Sequence, residues 1–216
     1  MNRGTFEKDT AGWSRCVDAI RDAAGKGTER ILVTIDGPCA TGKTTLAGKL
    51  AEEFGAAVVH TDDFVIPHKE KTPERLAVPG GNCDAERLVR EVAAPWKRGE
   101  PVLYREYDCR NDRMRPEKKL PDCRILILEG SYSNLPEIRE YADVRIFLKA
   151  PMEIRESRLE RRESAQSLQM FHERWIPLED RYFEAYSLPD RGCVVIDAGG
   201  AAEIRPRRTR DTDIPP

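Results

Sequence analysis

Residues 37–45 read Gly-Pro-Cys-Ala-Thr-Gly-Lys-Thr-Thr. From Gly37 to Thr44 they fit G-x-x-x-x-G-K-[ST], the spacing of a loop that wraps phosphate groups. Gly37 and Gly42 permit φ angles closed to other residues and let the backbone come close to a ligand. Together with Pro38, Cys39, Ala40, Thr41, Lys43, Thr44 and Thr45 they can turn several backbone N–H groups toward one point, where a following helix adds positive potential. Lys43 supplies a mobile cation for the outer phosphates, and the Thr44 hydroxyl is placed to ligate Mg²⁺. ATP with Mg²⁺ is the expected occupant. A glycine turn that only caps a helix is the plainer alternative, and it leaves the lysine and threonine unexplained.

A held triphosphate needs a partner acid. Asp62 and Asp63, in His-Thr-Asp-Asp-Phe (60–64), follow an apolar run and could take a proton from an attacking hydroxyl. Capping or a solvated loop is the competing reading of both. Glu129 ends the apolar run Ile-Leu-Ile-Leu-Glu (125–129) and could orient Mg²⁺.

These residues need elements to position them. Trp13, Val17 and Ile20 recur at helical spacing, which predicts a helix over 10–25. Apolar runs at 30–36, 56–60, 124–130, 143–150 and 193–197 predict buried, mainly parallel strands. Helices are expected from Lys43 to Phe54, over 84–99 with Asp84 as N-cap, briefly over 135–142, and over 152–187 with a break near Pro177. The polar stretch 61–82 reads as a long loop, and 101–113 as a short strand or ribbon. The alternation argues for a single α/β domain over 1–198, with a P-loop-type three-layer α/β/α arrangement, a mainly parallel central sheet and a helical lid. Residues 199–216 read as a solvated tail, whose arginines could alternatively meet an acidic partner.

The 216 residues suffice for one sizeable core. Their 36 basic and 38 acidic side chains nearly cancel, so no global field attracts nucleic acid or anionic lipid. No apolar run is long enough to span a membrane. The six cysteines form no C-x-x-C pair, which predicts a reducing, cytoplasmic setting. A homo-oligomer is allowed but not indicated.

Taken in order, IDGPCATGKTT, TDDF, YREYDCRNDR, ILILEGSY and DVRIFLKAPMEIRESRLERRE resemble the motifs of uridine kinases. These belong with phosphoribulokinase and bacterial-type pantothenate kinase among the P-loop small-molecule kinases. The resemblance spans about residues 30–197. It implies Asp62 as catalytic base, Glu129 as a metal residue, Asp84 on the acceptor's ribose hydroxyls, and Tyr107-Asp108 on its base. Arg155, Arg158 and Arg162 would form a lid over the triphosphate, within 152–175; a solvated helix face explains the same arginines. The implied reaction moves the γ-phosphoryl of ATP to a small-molecule hydroxyl, such as a nucleoside 5′-OH. Where uridine kinases carry a His reading the pyrimidine, this chain has Asp112, and the glycine turn after the lid is replaced by a longer helical run. Pantothenate, a sugar or another nucleoside is therefore a rival acceptor, a sugar phosphate is disfavoured because 84–113 mixes acids with its bases, and a nucleotide-dependent ATPase switch is the rival outside the kinases.

Other residues read more plainly. Phe171, Trp175 and Tyr182 have helical spacing, which suggests core packing. His60, His68 and His172 lack metal spacing. Cys39, beside a helix N-terminus, is expected to have a lowered pKa and to be oxidisable.

Overall fold

The computed structural model describes residues 10–199. The tail reading at 200–216 lies outside the described residues. α1 (Thr10–Gly25) turns Cys16, Val17, Ile20 and Ala23 to the core. β1 (Ile31–Asp36), buried at every position, leads into the 37–42 loop and α2 (Lys43–Phe54). β2 (Ala57–His60) runs directly into a 3₁₀ turn, Thr61–Phe64. The segment expected to be one loop then folds as a second 3₁₀ turn (His68–Glu70) and α3 (Pro73–Ala77), whose first turn is capped by Thr72.

One helical run follows: α4 (Ala85–Leu88), a π turn (Val89–Ala93) and α5 (Ala94–Lys97). Two ribbons of two-residue strands come next, β3 (Leu103–Tyr104) with β6 (Lys118–Lys119) enclosing β4 (Tyr107–Asp108) with β5 (Arg113–Met114). The chain closes with β7 (Ile125–Glu129), α6 (Pro136–Arg139), β8 (Val144–Lys149), α7 (Met152–Arg162) and α8 (Ala165–Met170). A π turn (Phe171–Trp175), α9 (Ile176–Ala185) and β9 (Cys193–Asp197) complete it.

The expected break at Pro177 does not occur. Pro177 lacks an N–H and its ring crowds the carbonyl four residues back. The chain accommodates this by widening into the π turn at Phe171–Trp175, which ends two residues before the proline. The same device precedes Pro95, where the π turn Val89–Ala93 again ends two residues earlier. Both helices continue through their prolines.

The five long strands form one parallel sheet in the order β2-β7-β1-β8-β9. α1 and α2 cover one face, over Ile31, Val33, Ile35, Leu46 and Leu50. The 85–97 helix and α9 cover the other, over Leu32, Leu88, Trp96, Leu126 and Tyr182. Burying a side chain of this size stabilises the fold by about 1.5–3 kcal/mol. Among the described residues, no helix is long and apolar enough to cross a membrane. In the sheet register Glu129 lies beside both Ile35 and His60. The carboxyl ends of β1, β2 and β7 therefore share one edge, and β1 sits where the strand order reverses.

Candidate active site

The loop leaving β1 has the shape its glycines permit. Gly37 has φ 137°, and a Cβ there would stand 2.2 Å from the Leu148 carbonyl oxygen, so only glycine lets β8 approach. Gly42, at φ 101°, begins α2 without a side-chain cap. The amides of Lys43, Thr44 and Thr45 have no hydrogen-bond partner among the described residues and remain open to an anion. Lys43 Nζ donates to Gly37 O at 2.6 Å and Pro38 O at 3.0 Å, and approaches Ser131 Oγ at 3.4 Å. A phosphate would offer this buried ammonium a stronger, charged acceptor.

Thr44 Oγ1 donates to Glu129 Oε1 at 3.0 Å, and His60 Nδ1 bonds the same carboxylate oxygen. Burial opposes the charge on Glu129, but His60, Lys43 and Thr44 outweigh it and hold its pKa below the usual value. Among the described residues no group of three or more His, Cys, Asp or Glu could cage a metal. One hydroxyl and one carboxylate fit Mg²⁺, which binds through few protein oxygens and completes its shell with water and substrate phosphates. His60 is thus a site residue that its spacing did not reveal. Its signal was position alone, the last residue of β2 in register with Glu129.

Asp62 and Asp63 separate here. Asp62 is an exposed residue and lies within electrostatic reach of Lys43, Glu129 and His60. The protein packed around it, then the Glu129 charge, raise its pKa above the usual carboxylate value. Asp63 turns toward Glu106 and Lys118, and its Oδ2 is buried without a hydrogen-bond partner. Burial and the Glu106 charge push it up to about 6.

The arginines after β8 hold the loop from behind. Arg155 is buried and donates from Nε to Cys39 O at 2.9 Å. Arg158 donates from Nη1 to Ala40 O at 3.0 Å and to Thr41 O at 3.2 Å, and from Nη2 to Ala198 O. Arg162 pairs with Glu163 at 2.6 Å and lies over the Phe171 ring. In this conformation Arg155 and Arg158 are spent on main-chain carbonyls.

Sequence reasoning missed Glu179. This buried carboxylate of α9 accepts from Cys39 N at 2.8 Å and from Ser131 Oγ at 2.5 Å. It ties α9 to the phosphate loop across 140 positions of sequence, with Arg155 Nη2 3.9 Å away. Nothing in its charged, helical neighbourhood marks it. The expectation for Cys39 is corrected: burial, then the Glu179 charge, push the thiol up to about 11, so it is no ready thiolate. Asp36 is another buried acid. It accepts from Gly37 N at 2.7 Å, Asn134 N at 2.9 Å and Tyr182 OH at 2.8 Å, and burial raises it to about 6.

At the acceptor end, Asp84 caps Arg87 N at 3.0 Å and lies 3.4 Å from Arg87 Nε. Tyr107 OH donates to Asp112 Oδ1, and both lie against the His68 amide, at 3.1 and 3.2 Å. Asp112 holds a left-handed φ of 46°. Tyr107 and Asp112 are thus brought together, while Asp84 is engaged by its own helix. Asp108 receives Asn111 N at 3.2 Å and Asn111 Nδ2 at 3.0 Å. Tyr182 is core, as expected; Phe171 and Trp175 are only half-buried.

A parallel five-stranded sheet with a glycine loop after its first strand, entering a helix at Lys43, is a three-layer α/β fold of the kind P-loop kinases have. No family model matches the chain, and no curated protein does. Among solved structures, it is similar to a possible uridine kinase from Bacillus stearothermophilus: 23% identity, covering 85% of this chain and 100% of that one, TM-score 0.62. It is also similar to a candidate fructose transport system kinase from Silicibacter sp. TM1040, at 25% identity over 80% and 94% of the two chains, TM-score 0.63. A candidate P-loop kinase with a circular permutation from Saccharomyces cerevisiae shares the fold at 12% identity, over 86% and 98%, TM-score 0.63.

Proposed function

We propose that the protein is an ATP-dependent phosphotransferase that moves the γ-phosphoryl group to a hydroxyl of a small molecule. The observation that carries this reading is convergence. The open amides at the start of α2, the Thr44–Glu129 pair and the open carboxylate of Asp62 all lie at the shared edge of β1, β2 and β7.

In this reading residues 37–45 hold the triphosphate, with Lys43 on the outer phosphates. Thr44 and Glu129 would hold Mg²⁺, which when bound offsets charge on the phosphates. Asp62 aligns the acceptor hydroxyl and takes its proton. The hydroxyl oxygen gains the bond to γ-phosphorus while the bond to the departing ADP oxygen breaks. The transition state is loose, so the proton moves late and a weak base is enough. The lid roles of Arg158 and Arg162 require closure of residues 152–175, which would free Arg158 from its carbonyls and exclude water.

The sequence resemblance supports a nucleoside 5′-hydroxyl as acceptor, with Asp84, Tyr107 and Asp112 as its contacts. The scattered cysteines, with no C-x-x-C pair, support a cytoplasmic setting. The test is ADP release from ATP·Mg²⁺ with a panel of nucleosides, sugars and alcohols. Release that depends on an acceptor, and is lost in Asp62→Asn, is expected. Release indifferent to every acceptor and stimulated by a protein would favour the ATPase switch.

A further inference from the structure

Beside the acceptor ribbon stand cations that have no ion-pair partner among the described residues. Lys71 and Arg174, from segments 103 positions apart, meet at one aromatic ring: Lys71 Nζ lies 5.7 Å and Arg174 Cζ 4.9 Å from the centre of Trp175. Both are half-buried, and neither side-chain cation has a hydrogen-bond or ion-pair partner among the described residues. Two other arginines are satisfied. Arg75 donates to Gly81 O and Cys83 O, and Arg181 to Leu76 O.

The anion within electrostatic reach of Lys71 is Asp112, whose Oδ1 already accepts from Tyr107 OH and the His68 amide. Burial, with the Arg174 charge adding to it, lowers the Lys71 pKa; Cys109 and Asp112 only partly offset this. Beside them a groove of about 220 Å³ is lined by Pro67, Lys69, Tyr107, Asp112, Arg113 and Met114. Four cationic side chains thus border this wall, with Asp112 already engaged and Asp108 opposite Arg113 in the β4–β5 register. Two half-desolvated, mutually repelling cations on an aromatic face cost free energy until an anion joins them. The wall also reaches the chemistry. β4 packs on the 61–64 turn, and Cys109 lies within electrostatic reach of both Lys71 and Asp62.

We infer that Lys71 and Arg174, which meet at the Trp175 ring, bind an anionic group of the phosphoryl acceptor, so that the substrate is a hydroxylated acid or sugar phosphate rather than a neutral nucleoside. The inference rests on the kinase reading above and replaces the nucleoside acceptor that the sequence resemblance suggested. Trp175 supplies an apolar face for the carbon skeleton, and the anion fixes the distal end while Asp62 meets a hydroxyl.

The full chain, with ATP·Mg²⁺, is assayed on matched pairs: gluconate against sorbitol, ribose 5-phosphate against ribose, and uridine alone. The anionic member of a pair is expected to have a kcat/KM at least about tenfold higher, a charge-assisted contact being of that order. The two pairs distinguish carboxylate from phosphate. In Lys71→Met or Arg174→Gln that preference should fall toward one, and Lys71→Arg should keep it. A misfolded variant lowers both rates together and leaves their ratio unmoved. If none of these compounds is phosphorylated, calorimetric titration of the ADP-loaded protein with inorganic phosphate replaces turnover. Binding that the Lys71→Met, Arg174→Gln double variant loses supports the site, and equal binding by both proteins overturns it. Best turnover with uridine, unchanged in the variants, overturns the anion site and leaves the kinase intact. Failure of the wild type to bind ATP·Mg²⁺ would overturn both.

Discussion

The phosphate edge and the acceptor wall are built differently. At the edge, Asp36, Gly37, Cys39, Lys43, Glu129, Ser131 and Glu179 are all buried, and each is bonded to another member or to the sheet. The wall is made of 3₁₀ turns, two-residue strands and exposed charges around Tyr107 and Asp112. A site set into packed strands keeps its geometry, because any shift is resisted by the core. A site on short surface elements can change its side chains at little cost to the fold. On the proposed reading the edge holds the phosphates and the wall selects the acceptor.

The sharpest way to break this comparison is at the edge. Lys43→Ala should lower kcat at least about 10²–10³-fold, a loss typical of one preorganised charge donor, with the circular dichroism spectrum unchanged. Gly37→Ala should instead lose both nucleotide binding and about 1–3 kcal/mol of stability in urea unfolding, from the forbidden φ and the Leu148 contact. Normal activity in either variant would remove the phosphate loop from the mechanism.

Asp62→Asn should cost about 10²–10⁴ in kcat while ATP still binds, and Asp63→Asn far less. Equal losses would mean that the two acids are not separated as their neighbours imply. Glu179→Gln leaves an oxygen for only one of Cys39 N and Ser131 Oγ. It should raise the KM for ATP about tenfold, with a smaller change in kcat, as expected for one disturbed buried hydrogen bond.

A smaller effect concerns pH and stability. Asp36 has a folded-state pKa of about 6, against roughly 3.9 when unfolded. The folded protein keeps this proton longer as pH rises. The contribution of Asp36 to stability is therefore greatest below about pH 4 and declines as pH rises to about 6, by roughly 3 kcal/mol over the window. Carboxylates with lowered pKa values act in the opposite sense at lower pH, so the comparison is wild type against Asp36→Asn. Unfolding free energies at several pH values should show the decline in the wild type only; parallel curves would assign it elsewhere. Smallest of all, Tyr107→Phe at the wall should alter the acceptor's KM by a few-fold and leave the KM for ATP alone.

Much of the edge was legible in the sequence because its determinants are local. The run 30–36, the glycines at 37 and 42 and the helix from Lys43 are specified by patterns a few residues long. The acid ending β7 could be read the same way. His60, Ser131 and Glu179 could not, since each matters only through a partner from a distant segment. The expected break at Pro177 was misread for a related reason. A proline forbids one hydrogen bond, but whether a helix stops or widens depends on packing along its length.

The amino-acid sequence by itself determined the order of strands and helices, the phosphate loop and the acids that could serve it, because periodicity, glycine and proline act through the backbone nearby. Only the tertiary structure decided that Asp63 turns to Glu106 and Lys118, that buried Glu179 braces the loop, and that Lys71 and Arg174 converge on Trp175. Those facts follow from strand register and from burial, which lowers the local dielectric and makes each charge depend on whichever distant group the fold sets beside it.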